Sequence, residues 1–229
     1  MSSSIGGAAG AEPLIVPETG GDFALPDTSP ATGSEGGTQV ALFGGGPGEK
    51  VHADPRALGE MTNYEGTGGD DSVSGAWNYV STGRGDDTAN GYVKFADLGP
   101  GNDSFDGMVG RELVAGAGDD LVTVRSPGNN AVYDLGSGDD RMITDWNTIS
   151  QASRIDGGSN GFLGSGVGGE GDTLRVITQP GDPDMQAVRN DDGGMDLMVR
   201  DASGSWSRVP QVQNFENIYI QKDPRYIPG

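Results

Sequence analysis

One short phrase, Gly-x-Gly-Asp/Asn-Asp, returns along the middle of the chain at nearly constant intervals. The copies read GTGGDDSV (66–73), GRGDDTA (83–89), GPGNDSF (99–105), GAGDDLV (116–122), GSGDDRM (136–142) and, more loosely, GGEGDTL (168–174). Their last acids are Asp71, Asp87, Asp103, Asp120, Asp140 and Asp172, so the steps are 16, 16, 17, 20 and 32 residues. The phrase is unfavourable in isolation, because glycines lose the most backbone entropy on folding and adjacent acids repel. Repetition at a fixed period is the mark of a solenoid, in which each coil buries its apolar positions only by stacking on the next.

Apolar words of β type fill the space between the phrases. Trp77, Tyr79 and Val80, then Tyr92, Val93 and Phe95, then Leu113 and Val114, then Val132, Tyr133 and Leu135 precede successive acidic corners. Val73, Ala89, Phe105, Leu121 with Val122, Met142 with Ile143, and Leu174 with Val176 follow them. Each coil is therefore expected to hold two short strands, joined by a minor turn at Asn90-Gly91, Asp106-Gly107 or Ser126–Asn130. The 32-residue step reads as a loop inserted in one turn, since Arg154–Ser159 opens like another copy and NGFLGSGVG then delays Asp172. A complete extra coil without the phrase is the alternative.

Stacking would bring the same carboxylates and glycine carbonyls of neighbouring coils around common points. Calcium takes about 6–8 such hard oxygen ligands and accepts main-chain carbonyls, whereas magnesium demands a stricter octahedron. GAGDDLV and GRGDDTA resemble the nonapeptide GGxGxDxUx of the RTX, or haemolysin-type, calcium-binding proteins. The resemblance covers residues 62–178. It implies an all-β parallel β-roll, with Ca2+ held between turns by the sixth-position aspartates Asp71, Asp87, Asp103, Asp120, Asp140 and Asp172. It also implies that the fourth-position glycines Gly69, Gly85, Gly101, Gly118, Gly138 and Gly171 line those sites. The chain departs from the family in having one phrase per coil, hence one calcium column rather than two. Leu98, Ala115 and Leu135 replace the first glycine, which implies a more apolar corner. Its C-terminal QKDPRYIPG does not match the family's secretion signal.

Composition narrows the function. A formal charge of −20, with 14 basic against 34 acidic residues, excludes a nucleic-acid partner that needs a basic face. The absence of cysteine removes disulfides and thiol chemistry. No apolar run reaches the roughly 18 residues of a membrane span, and the first residues lack the pattern of a signal peptide. The lone histidine, His52, makes a Ser-His-Asp or HExxH centre improbable, and nearly every acidic pair belongs to the repeated phrase. No catalytic residue is assigned. Trp77, Trp146 and Trp206 read as packing residues before they read as sugar platforms.

The expected organisation is a Gly/Pro-rich extended arm over 1–60, a calcium-binding β-roll over 61–178 and a C-terminal β cap over 179–229. Within residues 1–50, glycine and proline occupy 17 positions. Such an arm suits contact with other subunits of an assembly. The function expected is a non-catalytic structural or attachment component outside the cytoplasm, in a virion capsid or tail or in a cell-surface layer or fibre, with surface polysaccharide as a further partner class. The alternative is the calcium-binding module of a secreted polysaccharide-active enzyme or protease.

Overall fold

The computed structural model describes residues 40–43, 50–53, 62–159 and 171–223, all within the compact unit Gly36–Gly229. Most of the expected arm lies outside the described residues. The fold is all-β, a parallel solenoid of about five turns. Three short strands, β1 (Val40–Phe43), β2 (Lys50–Ala53) and β3 (Thr62–Glu65), lead into three long ones, β4 (Ser72–Ser81), β5 (Thr88–Pro100) and β6 (Ser104–Ala117). Then come β7 (Leu121–Ser126), β8 (Val132–Ser137), β9 (Arg141–Asp145), helix α1 (Trp146–Gln151), β10 (Arg154–Asp156) and β11 (Thr173–Thr178).

Two columns of side chains face each other across every coil. After each acidic corner, Val73, Ala89, Phe105, Val122, Met142 and Leu174 lie in parallel register. Before each corner, Tyr64, Val80, Ala96, Leu113, Tyr133 and Ile155 do the same. All twelve are buried. A strand exposes alternate residues to opposite faces, so one apolar residue at the same phase of each coil suffices to make a continuous core. Trp77 is part of it, edge-on to Tyr64 with its indole N–H donating to the Ser74 carbonyl at 3.0 Å. Trp146 is half-buried and Trp206 is 40% exposed.

The unequal steps have separate causes. Between Val93 and Phe95 the pairing of β5 with β6 slips by one residue, which takes up the extra residue of the 17-residue coil. The 20-residue coil widens at the turn between β7 and β8, where Asn130 has a φ of +56°. In the 32-residue step, β9 pairs directly with β11, so no complete extra coil intervenes. Part of the excess is α1, started by the Asp145 carboxylate accepting from the Thr148 N–H at 2.9 Å. The rest falls between Ser159 and Gly171. At Gly91 and Gly107 the expected minor turns lie inside the continuous strands β5 and β6, as Gly75 lies inside β4. The register Gly75↔Gly91↔Gly107 keeps the ladder bonded on both sides of these positions.

β1 pairs with β3 and β2 with β4, so the sheet reaches back to Val40. At the other end, β12 (Met185–Arg189), β13 (Met195–Arg200) and β14 (Trp206–Arg208) form a three-stranded antiparallel sheet. Leu197, fully buried, belongs to the same hydrophobic core as the solenoid's buried residues. The sheet is not appended, however. β15 (Val212–Gln213) and β16 (Asn217–Lys222) return to pair in parallel with β10 and β11, so the sheet is an excursion within the last coil. No helix among the described residues is long and apolar enough to cross a membrane.

Replacing Phe105, which is fully buried, by alanine removes the largest side chain of its column. The expected loss is about 3–5 kcal/mol in denaturant unfolding. Leu121→Ala, on an outward-facing residue 39% exposed, is expected to change stability by less than about 0.5 kcal/mol.

Candidate metal centre: carboxylate columns at the acidic corner

The register that aligns the core also aligns the acids. Asp71 donates its main-chain N–H to the Asp87 carboxylate at 2.7 Å, and Asp87 to Asp103, Asp103 to Asp120, Asp120 to Asp140 and Asp140 to Asp172 at 2.7–2.8 Å. The six aspartates therefore form one inner column, each at most 3% exposed. The main-chain carbonyl of each accepts from the residue opening the next strand, as Asp87 does from Ser104 at 2.8 Å.

A second column stands outside the first and runs the other way. Asp86 donates its N–H to the Asp70 carboxylate, Asn102 to Asp86, Asp119 to the Asn102 amide oxygen and Asp139 to Asp119, all at 2.8–3.0 Å. The paired acids of the phrase thus divide their labour: one clamps the coil above, the other the coil below. Sequence reasoning assigned only the inner set, although the doubled acid was itself the signal for the outer one.

Five of the expected glycines, Gly69, Gly85, Gly101, Gly118 and Gly138, stack with φ between +120° and +151°. A Cβ on Gly101 would sit 1.7 Å from the Gly85 carbonyl oxygen, so the position excludes any side chain on two counts. Gly171 is not in this stack. It lies one residue, not two, before its aspartate, in the position that Asp119 and Asp139 occupy in other coils. The phrase is split here: Gly158-Ser159 opens it against Gly136-Ser137, and Gly171-Asp172 closes it. The outer column therefore ends at Asp139. A depression of about 340 Å³, lined by Asp119, Asp139, Arg141, Gly171 and Thr173, marks the end. The apolar corner expected from Leu98, Ala115 and Leu135 is present, all three being fully buried.

Burial leaves the inner column electrostatically unfinished. One oxygen of each carboxylate from Asp87 to Asp172 accepts a main-chain N–H. Among the described residues, the Oδ2 atoms of Asp87, Asp103, Asp120, Asp140 and Asp172 are buried without a hydrogen-bond partner. Loss of hydration pushes the carboxyls of Asp103, Asp120 and Asp172 up to about 7 and that of Asp140 to about 8, and Asp87 also rises. Neighbouring acids add to the rise, while the N–H donors oppose it. Such oxygens call for a proton or a cation. No three acids or histidines among the described residues converge into a ready cage. A cation held here would take carboxylate oxygens from successive coils and complete its shell from carbonyls or water, a mixture calcium accepts.

Asp156 behaves oppositely. Burial would raise its carboxyl, but hydrogen bonds from Arg154, Asn214 and the Gly158 N–H outweigh this and hold it low. It pins β10 to the last coil through Asn214 at 2.7 Å and Gln213 at 3.2 Å. His52, the lone histidine, has Nδ1 2.9 Å from the Ser74 hydroxyl on an exposed strand.

No protein-family model matches the chain, and neither any curated protein nor any solved structure matches it.

The raised carboxyls fix the direction of the pH dependence. In the absence of divalent cations, the folded column keeps protons that the unfolded chain releases above about pH 4. That contribution is complete below the unfolded value and disappears as pH rises through about 7–8. With chelator present, Tm is expected to fall steadily from about pH 5 to about pH 9; a flat or rising profile contradicts the buried column.

Proposed function

We propose that the chain is a non-catalytic β-roll of the haemolysin-type class whose acidic corner is closed by calcium. We further propose that it serves as a structural or attachment component of an extracellular assembly, such as a virion decoration or a cell-surface layer. The observation that carries the calcium reading is the row of buried, unpartnered carboxylate oxygens, repeated once per coil. A row of protonated acids satisfies burial only until the pH rises through about 7–8. Above that range the same row carries like charges one coil apart, about 4.8 Å in a parallel sheet. Calcium bound there supplies the positive charge that lets the corners close with their acids ionised.

The chain's own residues then have defined tasks. The inner aspartates set the coil spacing through their N–H bonds and present the remaining oxygen. The glycine stack allows main chains to approach where a Cβ would collide. The outer acids keep the corner polar at its surface. Support for the assembly reading comes from the sequence: a Gly/Pro-rich segment precedes the repeated phrases.

Two outcomes test this. Near pH 8, a hundredfold excess of calcium over its Kd adds about 2.7 kcal/mol per site, about 5 °C or more in Tm for a domain of this size. Asp120→Asn keeps an acceptor for the Asp103 N–H but removes the charge. It should melt at or above wild type in chelator and gain less from calcium; equal gains, or no calcium effect on wild type, contradict the reading. Deleting residues 1–39 is expected to leave the melt unchanged and abolish incorporation into the assembly, and normal incorporation would refute the arm's role.

A further inference from the structure

The inner column does not end at Asp172. The register Thr173↔Asn217 places Glu216 beside Asp172 as Asp172 stands beside Asp140, although Glu216 belongs to no copy of the phrase. Its Oε2 accepts the Asp172 N–H at 2.8 Å, as each inner carboxylate from Asp87 to Asp172 accepts from the coil before it. The Asp172 carbonyl in turn accepts from the N–H groups of both Glu216 and Asn217, at 3.1 and 3.0 Å.

Glutamate is longer than aspartate by one methylene, and the corner is built for it. Gly171 occupies the outer-acid position, and a Cβ there would lie 2.9 Å from Glu216 Cγ and 3.1 Å from Oε2. The missing side chain at 171 is the space through which the glutamate reaches. Asp172 is fully buried, and its Oδ2 has no hydrogen-bond partner among the described residues. Two carboxylates from successive coils thus meet with one buried oxygen unsatisfied, the same chemistry as in the repeats.

We propose that Glu216 is a further calcium ligand, acting with Asp172 as the last step of the column. Resting on the calcium reading above, this gives the step a consequence the others lack. Asp172 and Glu216 are 44 residues apart, and the chain between them carries β12, β13 and β14. A cation at this step clasps both ends of that excursion, so docking of the antiparallel sheet and of β16 becomes calcium-dependent.

The test compares wild type with Glu216→Gln, which retains an acceptor but loses the charge. Bound calcium per chain is measured by elemental analysis. Hydrogen exchange is followed against calcium concentration in Met195–Arg200 and, as internal reference, in residues 104–109. Glu216→Gln should bind one calcium fewer and need about tenfold more calcium to protect Met195–Arg200, with the reference unchanged. Gly171→Ala, which displaces Glu216 without altering a carboxylate, should reproduce the shift. Wild-type calcium binding with equal stoichiometry and an equal response in Glu216→Gln overturns the role of Glu216 alone. A wild type that binds no calcium removes both this step and the reading beneath it. Should Glu216→Gln not fold, wild type decides: full protection of Met195–Arg200 in chelator overturns the proposal, and protection that appears only with calcium upholds it.

Discussion

A single buried hydrogen bond, from a main-chain N–H to a carboxylate of the following coil, sets the pitch of this molecule. It recurs from Asp71 to Asp172 at 2.7–2.8 Å, and Glu216 extends it. An acid in this place does two things at once. It satisfies a corner N–H that no strand partner reaches, and it leaves a second oxygen with nothing to bind. The first stabilises the stack; the second opposes it whenever the acid is ionised. The aspartates therefore make the corner conditional on a proton or a cation, where an asparagine column would make it unconditional.

The two acids of the phrase act in opposite directions along the axis, and this explains why the phrase is doubled. Asn102 shows which chemistry each column requires: in the outer column an amide oxygen accepts the Asp119 N–H as a carboxylate would. The inner column has a carboxylate at every step. Charge is thus dispensable at the surface and maintained where it is buried and most costly. That distribution is difficult to reconcile with acids serving solubility alone.

Much of this was legible in the sequence, because a solenoid repeats its contacts. The spacing of Asp71, Asp87, Asp103, Asp120 and Asp140 gave the coil, and the apolar words between them gave the core. Reading failed where repetition fails. Val40–Phe43 is too short to suggest a strand by itself and is one because β3 offers it an edge. Gly171 was matched to the family's fourth-position glycine although it lies one residue before Asp172 and not two, since the intervening insertion hides the true register. Glu216 was missed because the 44-residue excursion separates it from the phrase and a different acid takes the aspartate's place. Its signal was positional only: an acid immediately before a strand, as Asp172 stands before Thr173.

The most direct test of calcium closure is a crystal structure near neutral pH with a lanthanide exchanged for calcium, read by anomalous scattering. Peaks are expected between successive inner carboxylates, against the Oδ2 atoms of Asp87, Asp103, Asp120, Asp140 and Asp172. An intact column without anomalous density, or with peaks confined to the outer acids, would contradict it.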